Sequence, residues 1–213
     1  MEKKLFELVI KTTPNVKEIE ELIQDGVDIN CRDEESRTPL MFLLKLSYNQ
    51  KMKENLEEIV PLLLRRGVDV KAKDDDGLNA LHYLCATYRK DNIIEIIRLL
   101  IENGVDVKAE TNDGVTALHY VCQYQKENLI EIMRLLIDHG ADVNAKDDDG
   151  WTALHRLCDD NYKKENLIDI IRLFIEHGVD VKAGGALGFT TVGYYVSLYY
   201  HKKNKNEILK LLI

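Results

Sequence analysis

The stretch NLIEIMRLLIDHG, residues 128–140, sets Ile132, Leu135 and Leu136 at helical spacing, with Glu131, Arg134 and Asp138 among the polar positions. That periodicity predicts an amphipathic helix. Asn128 stands where an N-cap belongs, and Glu131 three residues on approaches a capping box. Gly140 follows the last turn, where a left-handed C′ residue ends many helices. Just ahead, TALHYVCQY, residues 116–124, predicts a shorter and more apolar helix. Beyond Gly140, ADVNAKDDDG reads as extended chain that turns at Asp-Gly, a hairpin-like signal. The unit is turn, helix, loop, helix.

The unit recurs. ALHYLC begins at Ala80, ALHYVC at Ala117 and ALHRLC at Ala153. The helix-ending glycines are Gly26, Gly67, Gly104, Gly140 and Gly178, at steps of 41, 37, 36 and 38 residues. A second Gly follows ten residues later at Gly77, Gly114 and Gly150, and Ser36 takes that place in the first copy. The length variation lies between the Cys and a following Asn: six residues from Cys85 to Asn92, five from Cys122 to Asn128, seven from Cys158 to Asn166. Fixed segments carry constrained geometry, and variable ones mark loops. This divides a single domain, 1–213, into a capping segment 1–25, repeats 26–66, 67–103, 104–139 and 140–177, and a partial repeat 178–213. The capping segment holds helical patterns from Lys3 to Ile10 and from Val16 to Gln24. Terminal repeats must differ, because one face of each has no neighbour. In the last repeat TTVGYYV replaces TALHYVC, with Gly193 in the His place, and EILKLLI ends the chain inside a second helix. That ending reads as a piece cut from a longer protein or as a deliberate boundary.

Composition narrows the classes. The 213 residues are 45% hydrophobic and 31% charged, with 37 acids against 29 bases and a net charge of -8. Such a balance disfavours general nucleic-acid binding, which needs surplus Lys and Arg, and favours a basic partner. Three prolines and twelve glycines argue against disorder. The N-terminal apolar stretch Leu5–Ile10 is interrupted by Glu7, too short for a secretory segment, and no stretch approaches a membrane span. Four cysteines without a leader fit a reducing compartment, so the expected location is the cytoplasm. GxSxG, P-loop, HExxH and kinase signatures are missing from the sequence. Asp and His stand at repeated positions, whereas a catalytic constellation is singular. No catalytic residues, enzyme activity or cofactor are expected.

The run GxTALHxxC…NLIEIxRLLIxxGADVNAKDxDG, read from Gly150 through Leu154 and His155 and again to Gly178, resembles the ankyrin repeat. The likeness covers essentially the whole chain. It implies an all-α solenoid of paired antiparallel helices with hairpin-like loops, about five repeats plus capping helices. The copies run 3 to 8 residues longer than the usual unit of about 33, and the excess falls between the helices. Such long repeats are similar to those of poxviral ankyrin proteins and of ankyrin effectors of intracellular bacteria, a likeness that implies the host cytoplasm.

The pairs His82/Cys85, His119/Cys122 and His155/Cys158 each share a helix face. Two ligands fall short of the four of a structural zinc. Parallel helices about 8–10 Å apart do not converge their pairs on metal bonds near 2 Å. No metal site is expected. The resemblance instead implies that each His bonds backbone of the neighbouring hairpin, while Cys fills a small buried place.

The resemblance also implies a concave side lined by hairpin tips and first helices. Its outward residues would be Asp75, Asp76 and Leu78; Asn112, Asp113 and Val115; Asp148, Asp149 and Trp151; and, on the helices, Tyr83, Tyr120 and Arg156, then Ala86, Gln123 and Asp159. Trp151, the single Trp, is either a binding anchor or packing across the neighbouring hairpin. Tyr48, Tyr88, Tyr124 and Tyr162 fall near the variable loops, as contact surface or as shields of the helix ends. Asp33–Glu35, Asp74–Asp76 and Asp147–Asp149 form either an acidic rim or ordinary solvated turns. Lys202, Lys203 and Lys205 are too few for a nucleic-acid claim. The expected function is a non-catalytic protein-protein interaction module with a basic protein partner, no nucleic acid and no membrane. It would be monomeric, with self-association available through the C-terminal end. Two alternatives stand beside it. One is a target-recruiting adaptor fragment, such as a host-directed effector or a ubiquitin-ligase adaptor. The other is an engineered scaffold, which the unequal repeat lengths disfavour.

Overall fold

The computed structural model of the chain describes residues 16–47, 56–87, 92–125, 127–159 and 167–184, with Leu5, Glu7, Lys210 and Leu211. Asn55, Asn166, Tyr48, Tyr88, Tyr162, Gly193, Lys202, Lys203, Lys205 and the side chains of Cys158 and Asp159 lie outside the described residues.

Nine α-helices are found among them: α1 Val16–Gln24, α2 Pro39–Leu46, α3 Leu56–Arg65, α4 Ala80–Thr87, α5 Ile93–Glu102, α6 Ala117–Tyr124, α7 Leu129–Asp138, α8 Ala153–Asp159 and α9 Leu167–Glu176. The fold is an all-α repeat array. Two compact units, 1–109 and 110–213, divide the chain. In the first, α2 packs on α4, α1 on α3 and α3 on α5, while α4 pairs with α5. In the second, α6 packs on α8 and α7 on α9, while α6 pairs with α7. Within each unit, first helices thus form one layer and second helices another.

Burial follows the periodicity. In α5, Ile93, Ile94, Ile96, Ile97 and Leu100 are buried while Glu95, Arg98 and Glu102 are exposed. Each such aliphatic side chain contributes about 1.5–3 kcal/mol on burial. Helices of eight to ten residues would not persist alone in water, so this packing holds them. At the C-terminus of α7, Gly140 adopts φ +92° and the Ala141 N–H reaches back to Leu136 O at 3.0 Å, closing the helix as its Gly predicts.

The helix starts depart from expectation. Asn128 precedes α7 but makes no side-chain cap; it sits in the left-handed region at φ +54°. The five-residue connection from Cys122 leaves little chain to reverse direction, and Asn tolerates that backbone better than most residues. Asn92 likewise makes no cap before α5, and its side-chain amide donates to Glu57 Oε1, tying the repeat to the preceding one. The hairpin-like loops form no β-ribbon among the described residues. Among the described residues the one β interaction is an isolated bridge, Glu110 with Thr116. The loops are held by tight turns instead.

Candidate functional site

Each tip is built on one side-chain acceptor. Asp74 Oδ1 accepts the N–H of Asp76 at 3.0 Å and of Leu78 at 2.8 Å. Asp147 Oδ1 accepts those of Asp149 at 3.1 Å and Trp151 at 2.8 Å. Asp33 Oδ1 accepts those of Glu35 at 3.0 Å and Arg37 at 2.9 Å. In the third repeat Thr111 Oγ1 accepts the Val115 N–H at 3.1 Å. The main chain closes the same loop, with Asp147 N–H to Trp151 O at 2.9 Å and Gly150 N–H to Asp147 O at 2.8 Å. Successive tips are also joined: Asp75 N–H donates to Glu35 O at 3.2 Å and Asp148 N–H to Asp113 O at 3.0 Å.

The second carboxylate oxygen faces inward. Tyr83 Oη donates to Asp74 Oδ2 at 2.5 Å, Arg156 Nη2 to Asp147 Oδ2, and Arg37 Nε to Asp33 Oδ2 at 2.7 Å. Burial opposes ionisation of Asp33, but hydrogen bonds from Arg37 and Glu35 outweigh it and hold the carboxyl below its usual range. Burial, then the bond to Asp74, pushes the Tyr83 hydroxyl up. Two expectations are corrected here. Asp74 and Asp147 are buried and fix the turn from within, so those two triplets lose their first member from the rim, while Asp33 is half-buried. Tyr83 is buried rather than outward, because the acid beneath the tip takes its hydroxyl.

Below the tips, the ALH stretch docks the second and third repeats onto the ones that follow. His119 Nδ1 accepts the Thr116 N–H at 3.1 Å, so the proton resides on Nε2, which donates to Trp151 O at 3.0 Å. His82 does the same between the Asn79 N–H and Ala109 O, each at 3.1 Å. Both ring nitrogens of His82 and of His119 are therefore committed to polypeptide. Burial lowers the affinity of His119 for a second proton. Asn79 replaces Thr in its repeat, caps α4 through Leu81 N–H at 3.0 Å, and adds a bond to Asp106 O at 3.0 Å. Met41 replaces His in the first repeat, where its sulfur takes the Thr38 N–H at 3.5 Å. Cys31, Cys85 and Cys122 are buried thiols.

What remains outward is narrower than the sequence reading. Asp75, Asp76, Asn112, Asp113, Asp148 and Asp149 are exposed. Leu78, Val115, Tyr120, Trp151, Arg156, Ala86 and Gln123 are half-buried. The Arg156 guanidinium lies over the Trp151 ring at 5.0 Å from its centroid, a cation–π arrangement. The first repeat holds the same pair with the partners exchanged, Arg37 over Phe42 at 5.0 Å. The tip residue four after the turn acid and the helix residue five further on therefore pair in both. Sequence reasoning passed over this register, although aligning Arg37 with Trp151 and Phe42 with Arg156 would have exposed it.

No described helix is long and apolar enough to cross a membrane. A family model described as "Ankyrin repeats (3 copies)" matches residues 8–109, 48–147, 85–185 and 128–213 in overlapping placements. No curated protein matches the chain.

Proposed function

The chain belongs to the ankyrin-repeat family, and from that premise we propose that it is a non-catalytic module that binds a protein partner through its tips and first helices. The observation that carries the proposal is the division of labour within each tip. The turn residue, buried as Asp74 and Asp147 and half-buried as Asp33 and Thr111, accepts backbone N–H groups and sets the turn, while the two residues after it, Glu34 and Glu35, Asp75 and Asp76, Asn112 and Asp113, Asp148 and Asp149, are exposed. A surface held in place before contact loses little conformational entropy on binding. The acidity of these positions suits a basic partner and speeds its encounter. Trp151, with Arg156 laid across it, supplies a preformed amphipathic plate beside the fourth tip.

The test is affinity capture from cell lysate with the wild-type chain and two folded variants of equal charge change. One carries Asp75→Lys, Asp76→Lys, Asp148→Lys and Asp149→Lys at the tips. The other carries Glu95→Lys, Glu102→Lys, Glu131→Lys and Asp138→Lys on exposed second-helix positions. The reading expects a captured protein lost from the tip variant and kept by the helix variant. Loss from the helix variant alone moves the contact to the second helices and overturns it.

A further inference from the structure

The residue before the helix-ending glycine carries a hydrogen-bond donor in all four complete repeats: Arg66, Asn103, His139 and His177. In three of them the side chain caps its own helix. Asn103 Nδ2 donates to Leu99 O, His139 Nδ1 to Leu135 O and His177 Nδ1 to Leu173 O, each at 2.8 Å. Arg66 reaches Glu20 instead. The last carbonyls of a helix lack intrahelical N–H partners, so a side-chain donor there is stabilising. A carboxylate in the same place would offer no proton and would set negative charge against the negative end of the helix dipole.

Asn103 also carries a chemical liability. Among the asparagines of the chain it alone is followed by glycine. Gly104 has no Cβ to hinder its nitrogen, so that nitrogen can reach the side-chain carbonyl carbon of the residue before it. Asn103 is exposed to water. In the closed cap the Gly104 N–H is held by Ile101 O at 2.9 Å and the Asn103 N–H by Leu99 O at 3.1 Å. Attack therefore waits for the helix end to fray, as helix ends do.

We propose that Asn103 is a modification site, whose side-chain amide is hydrolysed through a cyclic imide and whose conversion unlatches the end of α5. The Gly104 nitrogen loses its proton to hydroxide and bonds to Asn103 Cγ, and ammonia leaves with the amide nitrogen. Water then opens the imide at either carbonyl. The product is aspartate, or its isomer with the chain running through the side-chain carboxyl. Neither carboxylate can donate to Leu99 O. The loop that follows is the one on which the second repeat docks, through Asn79 Nδ2 to Asp106 O at 3.0 Å and His82 Nε2 to Ala109 O at 3.1 Å. The conversion consumes only water and does not restore the amide, so the dock is loosened for the life of the chain.

The full chain, held at mildly alkaline pH and sampled by peptide-mapping mass spectrometry, tests this beside a free peptide spanning residues 99–109. Asn103 should gain the mass of an amide-to-acid conversion before any other asparagine, and several-fold more slowly than in the peptide. The Asp-Gly steps at Asp25, Asp76, Asp113 and Asp149 can form the same imide but return the same mass, so they do not confuse the reading. Asn103→Asp should lower the thermal midpoint by about 2–4 °C. Converted wild-type chain, isolated by its extra negative charge, should show the same shift. Asn103→His, which installs the donor of the later repeats, should keep the wild-type midpoint. First conversion at another asparagine, conversion as fast in the folded chain as in the peptide, or an unchanged midpoint for Asn103→Asp overturns the proposal.

Discussion

Replacing Asp147 by alanine separates a buried turn acid from its exposed neighbours. Asp147 holds two backbone N–H groups and the Arg156 guanidinium from a site whose side chain is only 3% exposed. Hydrogen bonds to a charged group contribute about 1.5–3 kcal/mol each. Arg156 is 23% exposed at its side chain, so water recovers part of its share. The two N–H groups lie in a turn that can open partly to solvent. The expected loss for Asp147→Ala is therefore about 2–4 kcal/mol. Asp148→Ala removes an exposed side chain one residue away, with an expected effect within about 0.5 kcal/mol. Asp147→Asn keeps an oxygen for the N–H groups but drops the charge toward Arg156, and should fall between them. Urea unfolding followed by circular dichroism reads the difference as a midpoint lowered by roughly 1 M or more. Alanine variants at 147 and 148 with the same midpoint would refute the buried-acid account of the tip.

Two further outcomes follow from the same geometry. The His119 imidazole is held below its ordinary value of 6.5 by burial, so the unfolded chain takes up the proton first as pH falls. Its contribution to stability is then complete above about pH 6.5 and is lost as pH drops through the depressed folded value, about 1.4 kcal/mol for each unit of depression; an NMR titration of the ring with a midpoint above 6.5 would contradict this. Gly114→Ala places a Cβ 3.0 Å from both Asp147 Cα and Lys146 O at φ +73°, whereas Gly26→Ala at φ +83° meets nothing within 4 Å. The first should cost at least about 1 kcal/mol more than the second in thermal unfolding, since only the backbone strain is common to both.

Much of the fold was legible because its signals are repeated. The α5 and α7 stripes of Ile and Leu, and the glycines that end those helices, follow from period and punctuation alone. The His-to-backbone bonds of His82 and His119 came from the family resemblance rather than from spacing. The tips were harder. Asp74, Asp75 and Asp76 are the same residue three times, and only the turn decides that the first points inward. Thr111 at the equivalent place was the available clue, since Asp and Thr share the ability to accept a nearby N–H but not a negative charge. Tyr83 and Tyr120 occupy one register and differ in burial: Asp74 takes the hydroxyl of the first, and the third repeat has Thr111 where that acid stands. The missing Asn128 cap is a matter of loop length: the short connection demands a left-handed residue before it demands a cap.

The central claim is that the tips are fixed before any partner arrives. Amide hydrogen exchange in the unbound chain tests it most directly, read at Leu78, Val115 and Trp151, whose N–H groups are held by Asp74, Thr111 and Asp147. The account predicts exchange slowed at least tenfold relative to unstructured peptide at all three, with Asp147→Ala releasing Trp151 while Val115 stays protected. Exchange at the unstructured rate in the wild-type chain would mean that the tips are loose and acquire their shape only on contact.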